Sequence, residues 1–219
     1  MTSPRSGLRE RKKQATRTAL REAALRLALE RGPDNVRVED IAGAAGVSPR
    51  TYNNYFSSRA QAIVAAVTAE REARVAAAVA ARPAGTPLAG AIADAIVTQY
   101  TDPGGHDPAV LLLITSRPDL RGAFLGTAAS IEHPLAAVIA ARLGTTGQDL
   151  AQVLAACVAA AVRIALERWL RPAGLSPAAS GLVVPSGSLP DLLRTALAPL
   201  TPAIQAAEKA AAGPGRPAP

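Results

Sequence analysis

Apolar residues recur every three or four positions along most of this chain, which is the spacing that an amphipathic helix presents to a core. The first such segment covers residues 10–31, where one face is apolar and arginines line the other. Gly32 and Pro33 end this predicted helix, because proline is not tolerated in a helix interior. The apolar stripe of the helix consists of Ala19, Leu20, Ala23, Ala24 and Leu27.

A short helix, a glycine turn and a second short helix follow. The turn contains Gly46 and Val47, and the small side chains before it allow two helices to cross closely. Ser48 is a favourable N-cap and Pro49 a favourable first helical residue, so the second short helix is predicted to begin there. The apolar positions of the first short helix are Val38, Ile41, Ala42 and Ala45.

Longer helices, separated by proline and glycine, are predicted for the rest of the chain. A helix over residues 59–82 is long enough to link the first three helices to a separate body. The predicted class is all-α, with a helix-turn-helix domain over 10–58, a helical regulatory domain over 83–211, and disordered tails at 1–9 and 212–219. The helices of the second domain are predicted at residues 87–101, 109–116, 119–143 with a kink at Pro134, 147–171 and 189–210.

Aromatic and amide side chains are concentrated in the second short helix, which holds three of the six aromatic residues of the chain. Tyr52 and Phe56 lie four positions apart and are predicted to face the core together with Val47. Arginine can donate two hydrogen bonds to guanine, and asparagine can pair with adenine, so the remaining face suits base edges in a major groove. That face carries Arg50, Thr51, Asn53, Asn54 and Tyr55.

The positive charge of the chain is concentrated in its first quarter. Residues 1–59 contain twelve Lys and Arg against six Asp and Glu, a net of +6, whereas residues 60–219 have a net of +1. Such a concentration favours a polyanionic partner. Together with the helix-turn-helix pattern, it predicts double-stranded DNA.

Signatures of catalysis and of export are missing from the sequence. No nucleophile elbow, glycine-rich phosphate loop or metal-binding helix motif is present, so neither an enzyme nor a cofactor is predicted. His106 and His133 are expected to be surface or packing residues, and Cys157 a buried small side chain. The basic N-terminus leads into no apolar segment, and the most apolar run, residues 153–162, is too short to span a bilayer. A soluble cytoplasmic protein without a membrane partner is expected.

Residues 10–65 resemble the TetR family of bacterial transcriptional regulators. The resemblance is carried by the arginine-flanked first helix, by the segment VEDIAGAAGVSPRTYNNYF and by Arg59 at the start of the long helix. It implies a homodimer with a three-helix DNA-binding head and a larger helical body that binds a small ligand. Such a protein is most often a repressor that binds a palindromic operator and is released by its ligand.

The resemblance also implies roles for individual residues of the head. The implied phosphate contacts are Ser48, Thr51 and Tyr55, and the implied base readers are Arg50, Asn53 and Asn54. Arg59 would contact the DNA backbone from the start of the long helix. The family usually has Thr or Ser at the position of Arg37, where it caps a helix and touches phosphate, and the charge of Arg37 is expected to replace the phosphate contact but not the cap. Asn53 stands where an aromatic residue is common, so a relative's operator sequence does not transfer.

Two C-terminal segments, LITSRPDLRGAF and AVRIALERWL, resemble an actinobacterial subgroup with an acyl-CoA-like ligand-binding domain. This implies an apolar slot, whose candidate residues are Arg117, Arg121, Phe124 and Arg163. Arg163 can instead pair with Glu167 one turn on, which is the favoured alternative, and Arg117 and Arg121 can be ordinary surface residues around Pro118. The dimer contact is expected in the last two long helices, residues 147–171 and 189–208.

Two other functions fit parts of the pattern. A helical small-molecule binding protein or enzyme would carry the basic head incidentally, and titration against DNA at two salt concentrations would separate it from a regulator. A nonspecific nucleoid-type DNA binder would show little preference for a palindrome over random duplex.

Overall fold

The computed structural model describes residues 4–68, 71–83, 85–101, 108–144, 147–171 and 188–212, and every regular element in these ranges is a helix. The predicted all-α class is therefore confirmed. The α-helices are α1 (Pro4–Arg31), α2 (Val38–Ala44), α3 (Pro49–Asn53), α4 (Arg59–Thr68), α5 (Arg71–Ala80), α6 (Leu88–Thr101), α7 (Pro108–Ser116), α8 (Pro118–Gly126), α9 (Glu132–Leu143), α10 (Gln148–Trp169), α11 (Leu189–Leu197) and α12 (Thr201–Ala212).

The chain forms two compact units. The first comprises Met1–Ala69 and His106–Phe124, and the second comprises Glu70–Gly105 and Leu125–Pro219. Residues 108–124, which the sequence assigned to the regulatory domain, thus lie in the same unit as the predicted helix-turn-helix.

The core of the first unit forms around α1, which packs against α2 and α4, while α2 packs against α3. Four of the five residues in the apolar stripe predicted for α1 are buried, and Ala19 is half-buried. Ile41 of α2 and Ile63 of α4 are fully buried as well. Because alanines supply much of this stripe, the helices can approach closely.

The second unit forms around two helices. α10 packs against α9 and α11, and α6 packs against α5, α11 and α12. Polar contacts complete the helix ends: both carboxylate oxygens of Glu208 accept from the backbone N–H of Leu88, at 2.9 and 3.0 Å, at the start of α6. Such bonds satisfy a backbone group that a helix terminus leaves unpaired.

Arg71 and Tyr100 form a cation–π contact between α5 and α6. The guanidinium carbon of Arg71 lies 4.5 Å from the centroid of the Tyr100 ring. Burial lowers the pKa of Arg71 and raises the pKa of Tyr100. Nearby, Nε of Arg74 donates to Oε1 of Gln99 at 2.9 Å, so polar groups as well as apolar ones join these two helices.

Three helix boundaries differ from the sequence prediction. α1 begins at Pro4, so residues 4–9 are helical where a disordered tail was expected. Pro134 does not kink a long helix, because it lies in the first turn of α9, where a missing N–H leaves no intrahelical bond unmade. The predicted helix over 189–210 is interrupted at Ala198–Leu200, a 3₁₀ turn that contains Pro199 and precedes Pro202 by two residues.

Some predicted features lie on residues that the structure does not describe. The predicted helix over 59–82 corresponds to α4 and α5, but residues 69 and 70 between them lie outside the described ranges. A continuous linking helix therefore stays a prediction. His106, residues 172–187 between the last two predicted helices, and the tails at 1–3 and 213–219 also lie outside these ranges.

By length and composition alone, Pro118–Leu143 and Gln148–Trp169 could cross a membrane. Core helices of soluble proteins meet the same criteria, and α10 buries one face in the second unit. Two such helices are weak evidence for a membrane.

Candidate functional site

The turn between α2 and α3 is closed by backbone conformation. Gly46 has a φ of 69°, a left-handed value that glycine adopts at little cost. The backbone N–H of Val47 then donates to the carbonyl of Ala42 at 2.9 Å, which folds the chain back on the end of α2. This turn sets the direction in which α3 leaves.

The start of α3 is capped as predicted. Oγ of Ser48 accepts from the backbone N–H of Thr51 at 3.1 Å and lies 2.9 Å from Oγ1 of Thr51, while Pro49 occupies the first helical position. Capping of this kind contributes about 1 kcal/mol to helix stability. Both hydroxyls are thereby positioned at the N-terminus of α3, where backbone N–H groups favour an anion.

Tyr52 of α3 and Phe56, three residues beyond its end, are both buried, and their ring centroids are 5.8 Å apart. The hydroxyl of Tyr52 donates to the carbonyl of Ser58 at 2.9 Å, which joins α3 to the start of α4. Burial raises the pKa of Tyr52 to about 12. The hydroxyl therefore stays protonated and keeps donating throughout the physiological pH range.

The outer face of α3 and the two residues that follow it carry the side chains predicted to contact DNA. Arg50, Asn53 and Asn54 are exposed, and Thr51 and Tyr55 are half-buried. The guanidinium carbon of Arg17 in α1 lies 5.7 Å from the centroid of the Phe56 ring, which places a further cation beside the end of α3. The structure thus brings a polar, positively charged surface together over an aromatic core.

Arg37, at the start of α2, lacks a side-chain cap, as the sequence predicts. A guanidinium has no acceptor, so it cannot receive a backbone N–H. Half of a capping box remains, because the carboxylate of Asp40 accepts from the backbone N–H of Arg37 at 2.9 Å. The side chain of Arg37 is exposed.

Arg59 is engaged within the first unit. Its Nη1 donates to the carbonyls of Asp34 and Val36, at 3.1 and 3.2 Å, and its Nη2 lies 3.5 Å from Oδ1 of Asp34. These bonds hold the connection between α1 and α2 against the start of α4. Arg59 therefore has a structural role that the sequence did not predict.

The candidate ligand residues do not form one cluster of cations that an anionic ligand could bind. Arg117 pairs with the carboxylate of Asp34, which it shares with Arg59. Arg163 pairs with Glu167 one turn on, the alternative favoured from sequence, and is exposed. Arg121 is half-buried and Phe124 is buried, both on α8.

An apolar cavity of about 180 Å³ lies within the second unit, between α6, α10, α11 and α12. Its walls include Ile92, Val158, Leu197, Leu200 and Ile204. Arg194 and Thr201 are its polar members. None of the four ligand residues proposed from sequence lines this cavity.

A stripe of exposed apolar side chains runs along α10. Leu150, Val153 and Ile164 are 44, 59 and 40% exposed, and Cys157 and Ala160 between them are also exposed. Cys157 is therefore not the buried side chain that the sequence suggested, because it lies on the outer face of α10. The alternating spacing of three and four is that of a helix seam against a second helix. This set is called the α10 stripe below.

Two features of the site escaped sequence reasoning. Asp34 follows a Gly-Pro pair in a loop, and no local pattern indicates that it pairs with arginines far along the chain. The cavity depends on how four helices meet, which helical periodicity does not report. Metal binding has no support in the described ranges, where no group of three or more His, Cys, Asp or Glu side chains could hold an ion.

A glycine turn between two helices, an aromatic core and an exposed, basic second helix define a helix-turn-helix protein of the DNA-binding class. Family comparisons agree: the model for bacterial regulatory proteins of the tetR family matches residues 20–66, and the model for the MftR C-terminal domain matches residues 109–205. The chain is 33% identical over 152 residues to the HTH-type transcriptional regulator TcmR of Streptomyces glaucescens, an alignment that covers 65% of this chain and 67% of the relative.

This chain belongs to the TetR family. It is a DNA-binding transcriptional regulator and not an enzyme. The C-terminal family match begins at residue 109, so α8 and most of α7 fall inside it although residues 108–124 lie in the first compact unit.

Proposed function

We propose that the chain acts as a homodimeric repressor, which binds a palindromic operator and is released by a small hydrophobic effector in the cytoplasm. The observation that carries the proposal is the division of α3 and the three residues after it into a buried aromatic face, Tyr52 and Phe56, and an exposed face of arginine and asparagines. The buried face holds α3 against the core, and the exposed face supplies hydrogen-bonding groups for base edges.

The proposed DNA contacts divide by chemistry. The hydroxyls of Ser48, Thr51 and Tyr55 and the guanidinium of Arg37 would position the head on phosphates. Arg50, Asn53 and Asn54 would read bases in the major groove. In a dimer, two α3 helices would enter successive major grooves about 34 Å apart.

The α10 stripe is the proposed centre of the dimer contact, with α11 and α12 beside it. Side chains as apolar as Leu150, Val153 and Ile164 lose contact with water when a second copy covers them. A two-fold axis would bring the same stripe of the partner against them, which makes the surface self-complementary.

The effector is proposed to bind in the second unit, where mainly apolar side chains line the cavity. An acyl-CoA-like molecule is the first candidate, from the resemblance of the C-terminal segments. Arg117 and Arg163 already pair with carboxylates, so an anionic head group would have to displace those carboxylates to bind either arginine. Operator and effector would weaken each other's binding by the same factor, as linkage requires.

Selection of bound sites from random duplex DNA tests the regulator proposal. We expect a palindrome whose half-site centres lie about 10 base pairs apart, and binding to it that is about 10³-fold or more tighter than to random duplex. Equal affinity for both would favour a nonspecific nucleoid-type binder. Absence of salt-dependent binding to either would favour a small-molecule binding protein.

Replacement of Arg59 by alanine separates its structural role from a phosphate contact. Loss of the bonds to Asp34 and Val36 should lower the free energy of unfolding by about 1–2 kcal/mol, measured by urea titration. If Arg59 also contacts phosphate, the slope of log affinity against log salt should become shallower by about one unit.

Arg26→Ala is the matched control for Arg59→Ala. Arg26 pairs with exposed Glu30 one turn on, at 3.2 Å, so its loss should cost a few tenths of a kcal/mol. Unchanged stability in Arg59→Ala would contradict the structural role described above.

A further inference from the structure

We infer that the cavity between α6, α10, α11 and α12 binds a small amphipathic carboxylate, with the hydrocarbon part inside and the carboxylate on Arg194. The inference deepens the proposed function, on which it rests, because this molecule would be the effector. In this inference the arginine that binds the carboxylate is Arg194, which lines the cavity, and not one of the arginines suggested by sequence.

The volume of the cavity comes from small side chains. Ala89, Ala93 and Ala198 line it among larger aliphatic residues, so the wall is indented where a leucine would fill it. Apolar cavities of about 150 Å³ stay dry and bind molecules such as benzene. At about 180 Å³ this one suits a hydrocarbon of about six to eight carbons.

The chain between α11 and α12 forms one edge of the cavity. Pro199 and Pro202 interrupt the α-helical hydrogen bonds there, and the tighter 3₁₀ turn over Ala198–Leu200 replaces a helical turn. Ala198, Leu200 and Thr201 all line the cavity. The break in the predicted helix and the cavity therefore occur at the same place.

The polar members of the lining suit an anion. The side chain of Arg194 is 60% exposed, and its Nη1 lies 3.5 Å from Oδ1 of Asp191, a long contact to a side chain that is itself 74% exposed. Exposed pairs of this kind are weak, so a ligand carboxylate can replace Asp191. Thr201 adds a hydroxyl at the first residue of α12.

Calorimetric titration of the full-length protein tests the inference, with straight-chain carboxylic acids of four to twelve carbons, the matching primary alcohols and the matching acyl-CoAs. Affinity for the acids should rise about three- to fourfold per added methylene and level off at about eight carbons, when the cavity is full. Each acid should bind about tenfold more tightly than its alcohol, because only the acid pairs with Arg194.

Two variants and one control locate the site. Arg194→Gln should bring the affinity for each acid down to that for its alcohol, and Ala93→Leu, which fills the cavity, should abolish the dependence on chain length for both. Arg168→Gln removes the same charge from an exposed position on α10 that does not line the cavity, and it should bind the acids as the unaltered protein does.

Three results would overturn the inference. Equal binding of acids and alcohols would mean that no carboxylate contact exists. Binding of acyl-CoAs without free acids would require a different anchor, and no binding by any series would mean that side chains or a partner subunit close the cavity.

Operator titration with octanoate keeps the inference distinct from the proposed function. Octanoate binding without operator release supports the site but not its regulatory role, whereas operator release by another hydrophobe in a protein that binds no octanoate supports the repressor and overturns the site.

Discussion

Replacement of Val153 by aspartate is expected to convert the protein from dimer to monomer and to weaken operator binding by at least about 100-fold. Val153 lies on the α10 stripe and is 59% exposed, so the folded monomer should tolerate the change. In the proposed dimer the new carboxylate would face apolar side chains without a partner, which is strongly unfavourable. A monomer brings one α3 to the operator and loses the gain from binding two half-sites together.

Light scattering and operator titration measure the two effects of Val153→Asp. Gln152→Glu is the matched control, because Gln152 is exposed on the adjoining polar side of α10 and also acquires a negative charge. The control should remain dimeric and bind the operator normally. A dimer in Val153→Asp with full operator affinity would place the interface away from the α10 stripe.

Replacement of Arg50 or Asn53 by alanine is expected to weaken operator binding by about 1–3 kcal/mol, or about 5- to 150-fold, while changing affinity for random duplex only a few-fold. Both side chains are exposed on the outer face of α3 and are free to reach base edges. Neither is part of the buried aromatic face, so the stability of the head should not change. Fluorescence anisotropy with the selected operator and with random duplex of equal length measures the difference.

Arg26→Ala serves as the charge control for Arg50→Ala, because it removes an arginine from α1 rather than from α3. It should reduce operator and random binding alike, by a small factor. Equal losses on operator and random duplex in both Arg50→Ala and Asn53→Ala would make these residues phosphate contacts and not base readers.

The helix-turn-helix head could be predicted from sequence because each of its features depends on residues that are close together in the chain. Gly46 is needed for the turn, Ser48 for the cap and Pro49 for the first helical position, and each acts on neighbours within a few residues. The four-residue spacing of Tyr52 and Phe56 likewise places both on one face of a helix. The Arg163–Glu167 pair belongs to the same category, since it spans one helical turn.

Contacts between distant parts of the chain could not be predicted in this way. Asp34 pairs with Arg59 and Arg117, and no periodicity relates three positions so far apart. For Arg59 the consequence is direct: the sequence predicts a DNA contact, and the tertiary structure adds hydrogen bonds to the connection between α1 and α2. The 3₁₀ turns over Thr127–Ile131 and Ala198–Leu200, which interrupt two predicted helices, were not predicted from sequence either.

By itself, the sequence determined the helical class, the helix-turn-helix and the polar face of α3, because each follows from spacing along one or two helices. Only the tertiary structure decided which apolar face of α10 is covered. Val158 and Val162 are buried, whereas Val153 and Ile164 are exposed, although all four are β-branched and apolar. When a helix is apolar on several faces, its sequence does not indicate which face is buried, since burial depends on which other helices pack against it.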